Sequence, residues 1–95
     1  MSEDALIHVV RELIDLLASC RQRNESAWLQ EHLDEALTTP EFNWGHFRSE
    51  LHRRTMGMGS LSDIFLRPPE DSRLAAKEAN HKLAELTETL HRLTR

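Results

Sequence analysis

Two glycines flank a methionine in the sequence Gly57-Met58-Gly59-Ser60. Glycine lets a backbone approach a ligand closely, and amides ahead of a helical turn can bind an anion such as phosphate. However, no strand pattern precedes this segment, and it has neither the lysine of a P-loop nor a G-x-G-x-x-G motif. We therefore interpret Gly57 and Gly59 as a structural turn that lets the neighbouring apolar residues fold back onto a core.

The six histidines raise the question of a metal site. Glu78-x-x-His81 and Glu88-x-x-His91 have the spacing found in di-iron bundles, whose ligands project into the core from two different helices. Here both motifs fall on one predicted helix and lie off its leucine stripe, so we expect both histidines to face solvent. An HExxH motif is absent, and a single cysteine excludes a cysteine-rich zinc site. We predict neither a metal ion nor another cofactor.

Side chains that could form a nucleophilic triad occur near the glycines, for example Ser60, His52 and Asp63. No G-x-S-x-G motif or α/β pattern is present to position them. Cys20 falls on the apolar stripe of the first predicted helix, which indicates a buried and unreactive thiol. We therefore predict that the protein has no catalytic residues and is not an enzyme.

Basic residues cluster near the end of the third predicted helix, and a further arginine follows the glycine segment. They either complement the helix dipole or form a site for an anion or an acidic partner, since guanidinium groups pair well with carboxylates and phosphates. Apolar side chains between them would add adaptable contacts. The predicted partner-binding residues are Arg48, His52, Arg53, Arg54, Met56, Met58, Ser60, Asp63, Phe65 and Arg67.

The decapeptide GMGSLSDIFL at residues 57–66 resembles the signature of a family of small, uncharacterised bacterial helical domains. That signature is Gly-Met-Gly-Ser, an apolar residue, Asn or Ser, then Asp and an apolar pair. A tryptophan-bearing helical region precedes it in the family, and Trp28-Leu29 match that region here. Some members resemble toxin-immunity or accessory proteins of bacteria. The resemblance implies a helical binding module and names no catalytic residue, and Ser62 stands where many members have asparagine.

Composition favours an all-α fold. Of the 95 residues 39% are hydrophobic and 5% aromatic, and leucine far outnumbers the β-branched valine and isoleucine that favour strands. The net charge of −4 argues against general attraction to nucleic acid or to an anionic membrane. The acidic N-terminal residues are not expected to act as a signal peptide, and the sequence contains no run of roughly 20 apolar residues. Together with the single cysteine, these features predict a cytoplasmic protein.

Hydrophobic spacing predicts four helices. The apolar face of the first is broad, which indicates contact with two or more neighbouring helices. Asn24 is expected to separate it from the second. The third begins either at Thr39-Pro40-Glu41, a typical helix start, or only at Asn43. The helices are expected at about residues 3–23, 26–37, from one of these starts to 55, and 70–93.

Two of these helices carry stripes that assign residues to the core. The second is expected to turn inward Trp28, Leu29, His32, Leu33, Ala36 and Leu37. The last has a narrow heptad-type stripe formed by Ala76, Ala79, Leu83, Leu86, Leu90 and Leu93. We favour packing of this stripe inside a bundle over an intermolecular coiled coil, because uncharged residues such as Asn80 flank it. A monomer and a homodimer both remain open.

We therefore predict a single all-α domain over residues 1–95, with four helices and a long ordered loop between the third and fourth. The loop is either irregular or contains one helical turn after Ser60. The leading function is non-enzymatic binding of a protein partner, in a bacterial immunity or accessory role. The alternative is a small anion- or nucleic-acid-binding module that uses Arg48, Arg53 and Arg54 beside the glycines. Nucleic acid is the less favoured partner, and no membrane association is expected.

Overall fold

The computed structural model describes residues 3–54, 64–70 and 75–94. Of these residues 77% are helical, and no strand occurs among them. The predicted all-α architecture with four helices is confirmed. Residues 56–63 of the predicted loop, for which a helical turn after Ser60 was one of two alternatives, lie outside the described residues. The helices are α1 (Asp4–Ser19), α2 (Arg23–Thr38), α3 (Trp44–Arg54) and α4 (Ala76–Leu93).

Helix α1 is the centre of the core. Its broad apolar face packs against both α2 and α4, as the sequence predicted. None of the helices in the described ranges has the length and hydrophobicity that a bilayer span requires. The buried residues of α1 are Leu6, Val9, Val10, Leu13, Ile14, Leu16 and Leu17.

The prediction that Asn24 separates α1 from α2 is wrong, because the chain turns earlier. The N–H of Gln22 donates to the carbonyl of Leu17 at 2.8 Å, and the N–H of Arg21 donates to that of Ala18 at 3.3 Å. These are the paired hydrogen bonds of a Schellman motif. Arg21 has φ 66°, the left-handed conformation for which glycine is usually selected. Asn24 lies instead in the first turn of α2.

The early turn brings the small side chain of Ser26 against α1. Ser26 is buried, and its hydroxyl donates to the carbonyl of Ile14 at 3.2 Å. Farther along α2, Leu29, Leu33 and Ala36 are buried as predicted, whereas Trp28 and His32 are only half-buried. The inward assignment of Leu37 is wrong, since this residue is 46% exposed.

Helix α3 begins at Trp44, so the later of the two predicted starts is confirmed. The side-chain oxygen of Asn43 accepts the backbone N–H of His46 at 3.0 Å and caps the helix. The Thr39-Pro40-Glu41 signal does not start a helix here, because Glu41 has a left-handed φ of 56°. The buried residues of α3, Phe47 and Leu51, join the common core.

Helix α4 begins at Ala76, six residues later than predicted. The backbone of Ala75 is extended, with φ −72° and ψ 152°, and residues 71–74 are not described. The heptad-type stripe packs into the core of its own chain, against α1 and α3. Its fully or largely buried members are Ala79, Leu83, Leu86 and Leu90, while Leu93 is half-buried and Ala76 is exposed.

Candidate functional site

Leu66 anchors the irregular segment at residues 64–69 to helix α4. Its side chain is completely buried. Its backbone N–H donates to Oδ1 of Asn80 at 2.7 Å, and its carbonyl accepts a hydrogen bond from Nδ2 of Asn80 at 2.9 Å. The same Nδ2 also donates to the carbonyl of Ala76 at 2.7 Å. One carboxamide therefore satisfies both polar backbone groups of a buried residue and holds the segment in place.

Phe65 and Arg67 flank this anchor, and both are exposed. Phe65 is 64% exposed; among the described residues, only Leu37 is another exposed large apolar side chain. The guanidinium carbon of Arg67 lies 6.0 Å from the centre of the Phe65 ring. The segment thus presents an aromatic ring and a cation side by side on a backbone that Asn80 fixes.

Arg67 also lines an open cleft of about 540 Å³ together with Arg21. The Schellman turn after α1 places Arg21 there, so the left-handed residue of that turn brings a second guanidinium beside the segment. Within the described ranges, neither arginine forms an ion pair. Sequence reasoning missed Arg21, because it was expected inside a longer first helix. Pro68, Pro69 and Glu70 complete the lining.

Two arginines of α3 bind carboxylates of other helices or their ends. Arg48 donates from Nη2 to Oε1 of Glu3, which precedes α1, at 3.0 Å. Arg54 lies 3.3 Å from Oε2 of Glu25 at the start of α2, and its guanidinium stacks 3.8 Å above the Trp28 ring. Both arginines are about two-thirds buried. Their contacts join α3 to the rest of the fold.

The remaining α3 members of the predicted site differ in their surroundings. Arg53 is 79% exposed and lies 3.6 Å from Oε1 of Glu50 on the same helix. His52 stacks on His91 of α4 with 4.3 Å between ring centres, and its Nδ1 lies 3.0 Å from the hydroxyl of Thr94. The expectation that His91 faces solvent is therefore wrong, because α3 covers part of its ring.

His81 behaves as predicted, with a side chain that is 74% exposed and lies 2.9 Å from Glu85. Cys20 is 2% exposed, which confirms a buried thiol. In the part of the chain that the structure describes, no group of three or more His, Cys, Asp or Glu residues could hold a metal ion.

The described members of the predicted binding surface lie in separate places. Arg48 contacts the amino end of α1, whereas Arg67 lies beside Arg21 at its carboxyl end, so the length of a 16-residue helix, about 24 Å, separates these contacts. Phe65 and Arg67 form a coherent pair, and the α3 arginines are directed elsewhere. Roles predicted for the rest stay predictions, because these residues lie outside the described ranges: Met56, Gly57, Met58, Gly59, Ser60 and Asp63.

No protein-family model, curated protein or solved structure matches this chain. The resemblance of residues 57–66 to a bacterial family therefore stays a prediction.

Proposed function

We propose that this protein is a non-enzymatic protein-binding module whose contact surface is centred on Phe65. The observation that carries the proposal is that Phe65 is 64% exposed although its neighbour Leu66 is completely buried and held by Asn80. Aromatic and arginine side chains contribute much of the binding energy at protein interfaces. A backbone that is already ordered lowers the entropy lost on binding, so an exposed ring on this anchored segment is suited to insertion into a partner.

The charges beside Phe65 favour a partner that offers carboxylates next to an apolar pocket. Arg67 and Arg21 contribute two guanidinium groups to the adjoining cleft, and Glu70 contributes one carboxylate. Guanidinium groups form paired hydrogen bonds with carboxylates, which gives such a contact both strength and orientation. The predicted binding residues at 56–63 would extend this surface along the chain.

The resemblance to small bacterial helical domains supports a narrower version of this proposal. In that version the partner is a bacterial protein that this chain neutralises or assists, as an immunity or accessory protein would. Such a role would be carried out in the cytoplasm, where a lone, buried thiol such as Cys20 remains reduced.

The anion- or nucleic-acid-binding alternative has less support from the geometry. Its three arginines, Arg48, Arg53 and Arg54, lie 3.0, 3.6 and 3.3 Å from carboxylates that a phosphate would have to displace. The net charge of −4 also opposes the attraction on which phosphate binding depends. Oligonucleotide binding that falls steeply with salt and is weakened by Arg53→Ala would favour this alternative over the protein-binding proposal.

The decisive comparison is between Phe65→Ala and Leu37→Ala, which each remove an exposed large apolar side chain. The immobilised wild-type chain is used to capture its partner from a lysate of the source organism, and the purified partner is then titrated against each variant by calorimetry. We expect Phe65→Ala to weaken binding at least about tenfold, and Leu37→Ala to leave it unchanged. Both variants should retain the helical circular dichroism of the wild type. Equal affinity of Phe65→Ala and wild type would refute the proposal.

A further inference from the structure

A second cleft, of about 430 Å³, lies between α2 and α3. Aromatic rings form its inner surface: Phe47 is buried, Phe42 packs edge-on against Phe47 with 5.9 Å between ring centres, and Trp28 is half-buried. Carboxylates lie at its more exposed rim, namely Glu35 from α2 and Glu50 from α3. The cleft thus combines aromatic faces with negative charge, which is the chemistry that binds organic cations.

The chain itself already places one cation in this cleft. The guanidinium of Arg54 stacks 3.8 Å above the Trp28 ring while its Nη1 lies 3.3 Å from a carboxylate oxygen of Glu25. At this site an aromatic face and an adjacent carboxylate therefore bind a guanidinium group together.

The rest of the cleft offers two further carboxylates to a second cation. In the described part of the chain, the Glu35 carboxylate forms no ion pair or hydrogen bond. Among the described residues, Glu50 forms an ion pair only with Arg53, whose side chain is 79% exposed, at 3.6 Å. The charge of Arg54 is already matched by Glu25, so the rim retains unbalanced negative charge.

His32 has a fixed orientation in this lining. Its Nδ1 lies 2.8 Å from the carbonyl of Trp28, and a carbonyl can only accept, so Nδ1 carries the proton. The imidazole also stacks on Trp28 with 4.0 Å between ring centres, which fixes its orientation.

We propose that the α2–α3 cleft binds a lysine or arginine side chain from a basic protein partner, with its charge near Glu35 and Glu50 and its stem on Phe42. The overall charge of −4 would also attract a basic partner. This proposal does not depend on the Phe65 surface, so either one can fail without the other.

The test uses the full chain and capped tripeptides. The probe is acetyl-Gly-Arg-Gly-amide, and its neutral counterpart carries citrulline, which has nearly the same shape, in place of arginine. Binding is followed by the indole N–H resonance of Trp28, which is assigned with Trp44→Phe. We expect a saturable shift with a dissociation constant on the order of millimolar for the arginine peptide, and none for the citrulline peptide.

Variants show whether the cleft is the site. Glu35→Gln should weaken binding of the arginine peptide about threefold or more, and adding Glu50→Gln should weaken it further. Glu31→Gln is the matched control, because Glu31 is an exposed carboxylate one turn earlier on α2 and does not line the cleft. Glu31→Gln and Phe65→Ala should bind the peptide as the wild type does. A shift that does not saturate, equal shifts with citrulline, or equal effects of Glu31→Gln and Glu35→Gln would each overturn the proposal.

Discussion

The carboxamide of Asn80 bonds both backbone groups of Leu66, at 2.7 Å to the amide nitrogen and 2.9 Å to the carbonyl oxygen. This pair positions the segment that carries Phe65, although residues 64–69 contain no regular secondary structure. The Leu66 side chain is completely buried beside these bonds, so losing the carboxamide would leave backbone groups poorly solvated.

We expect Asn80→Ala to lower the free energy of unfolding by about 2–3 kcal/mol, because it leaves two backbone groups of a buried residue without partners. Asn80→Asp should also be destabilising, since a carboxylate can accept from the Leu66 N–H but cannot donate to its carbonyl. Urea denaturation monitored by circular dichroism measures both effects. The control is Asn24→Ala, an exposed asparagine on α2, which should change stability by less than about 0.5 kcal/mol. An Asn80→Ala variant as stable as wild type would contradict the anchoring role.

Arg21→Gly should stabilise the protein by about 0.5–1 kcal/mol. Arg21 has φ 66° in the turn after α1, where glycine avoids the steric strain of a side chain. Arg23→Gly provides the matched control, because Arg23 lies in the first turn of α2 and glycine there should destabilise by a similar amount. Both changes are measured by urea denaturation. The key result is that the two substitutions change stability in opposite directions. If Arg21→Gly lowered stability as much as Arg23→Gly does, this would be incompatible with the observed turn.

Arg54→Ala and Arg53→Ala should differ in their effect on stability, although the two residues are adjacent. Arg54 stacks on Trp28 and pairs with Glu25, so its loss should cost about 1 kcal/mol, a value kept small by partial exposure to solvent. Arg53 is 79% exposed, and its loss should change stability by less than about 0.5 kcal/mol. Tryptophan fluorescence should change only for Arg54→Ala. Identical behaviour of the two variants would argue against the stacked contact.

Leu86→Ala should lower stability by about 2–5 kcal/mol, because Leu86 is 7% exposed in the core. Leu37→Ala removes the same side chain from an exposed position and should have a much smaller effect. We also expect a melting temperature that does not change over an approximately hundredfold range of protein concentration, since the α4 stripe packs within its own chain. A melting temperature that rises with concentration would indicate that two chains share this stripe.

Local spacing was sufficient to predict the helices and most of their buried faces. Leu83, Leu86 and Leu90 recur at intervals of three and four, and they are buried because this period places them on one side of a helix. Helix ends were predicted less well. The turn at Arg21 contains no glycine that would indicate it in the sequence. Asparagine is common at helix ends, yet Asn24 lies within α2.

The functional surfaces depend on contacts between residues far apart in the chain, which spacing within one helix cannot reveal. Asn80 looked like an uncharged flanking residue, yet it lies opposite the backbone of Leu66, 14 positions away. The sequence suggested that Arg54 is part of a basic patch, yet its guanidinium stacks on Trp28 and pairs with Glu25, both of another helix. Burial of a side chain depends on which element packs over it. For that reason Leu66 is buried in the core and its neighbour Phe65 is exposed, although both side chains are apolar.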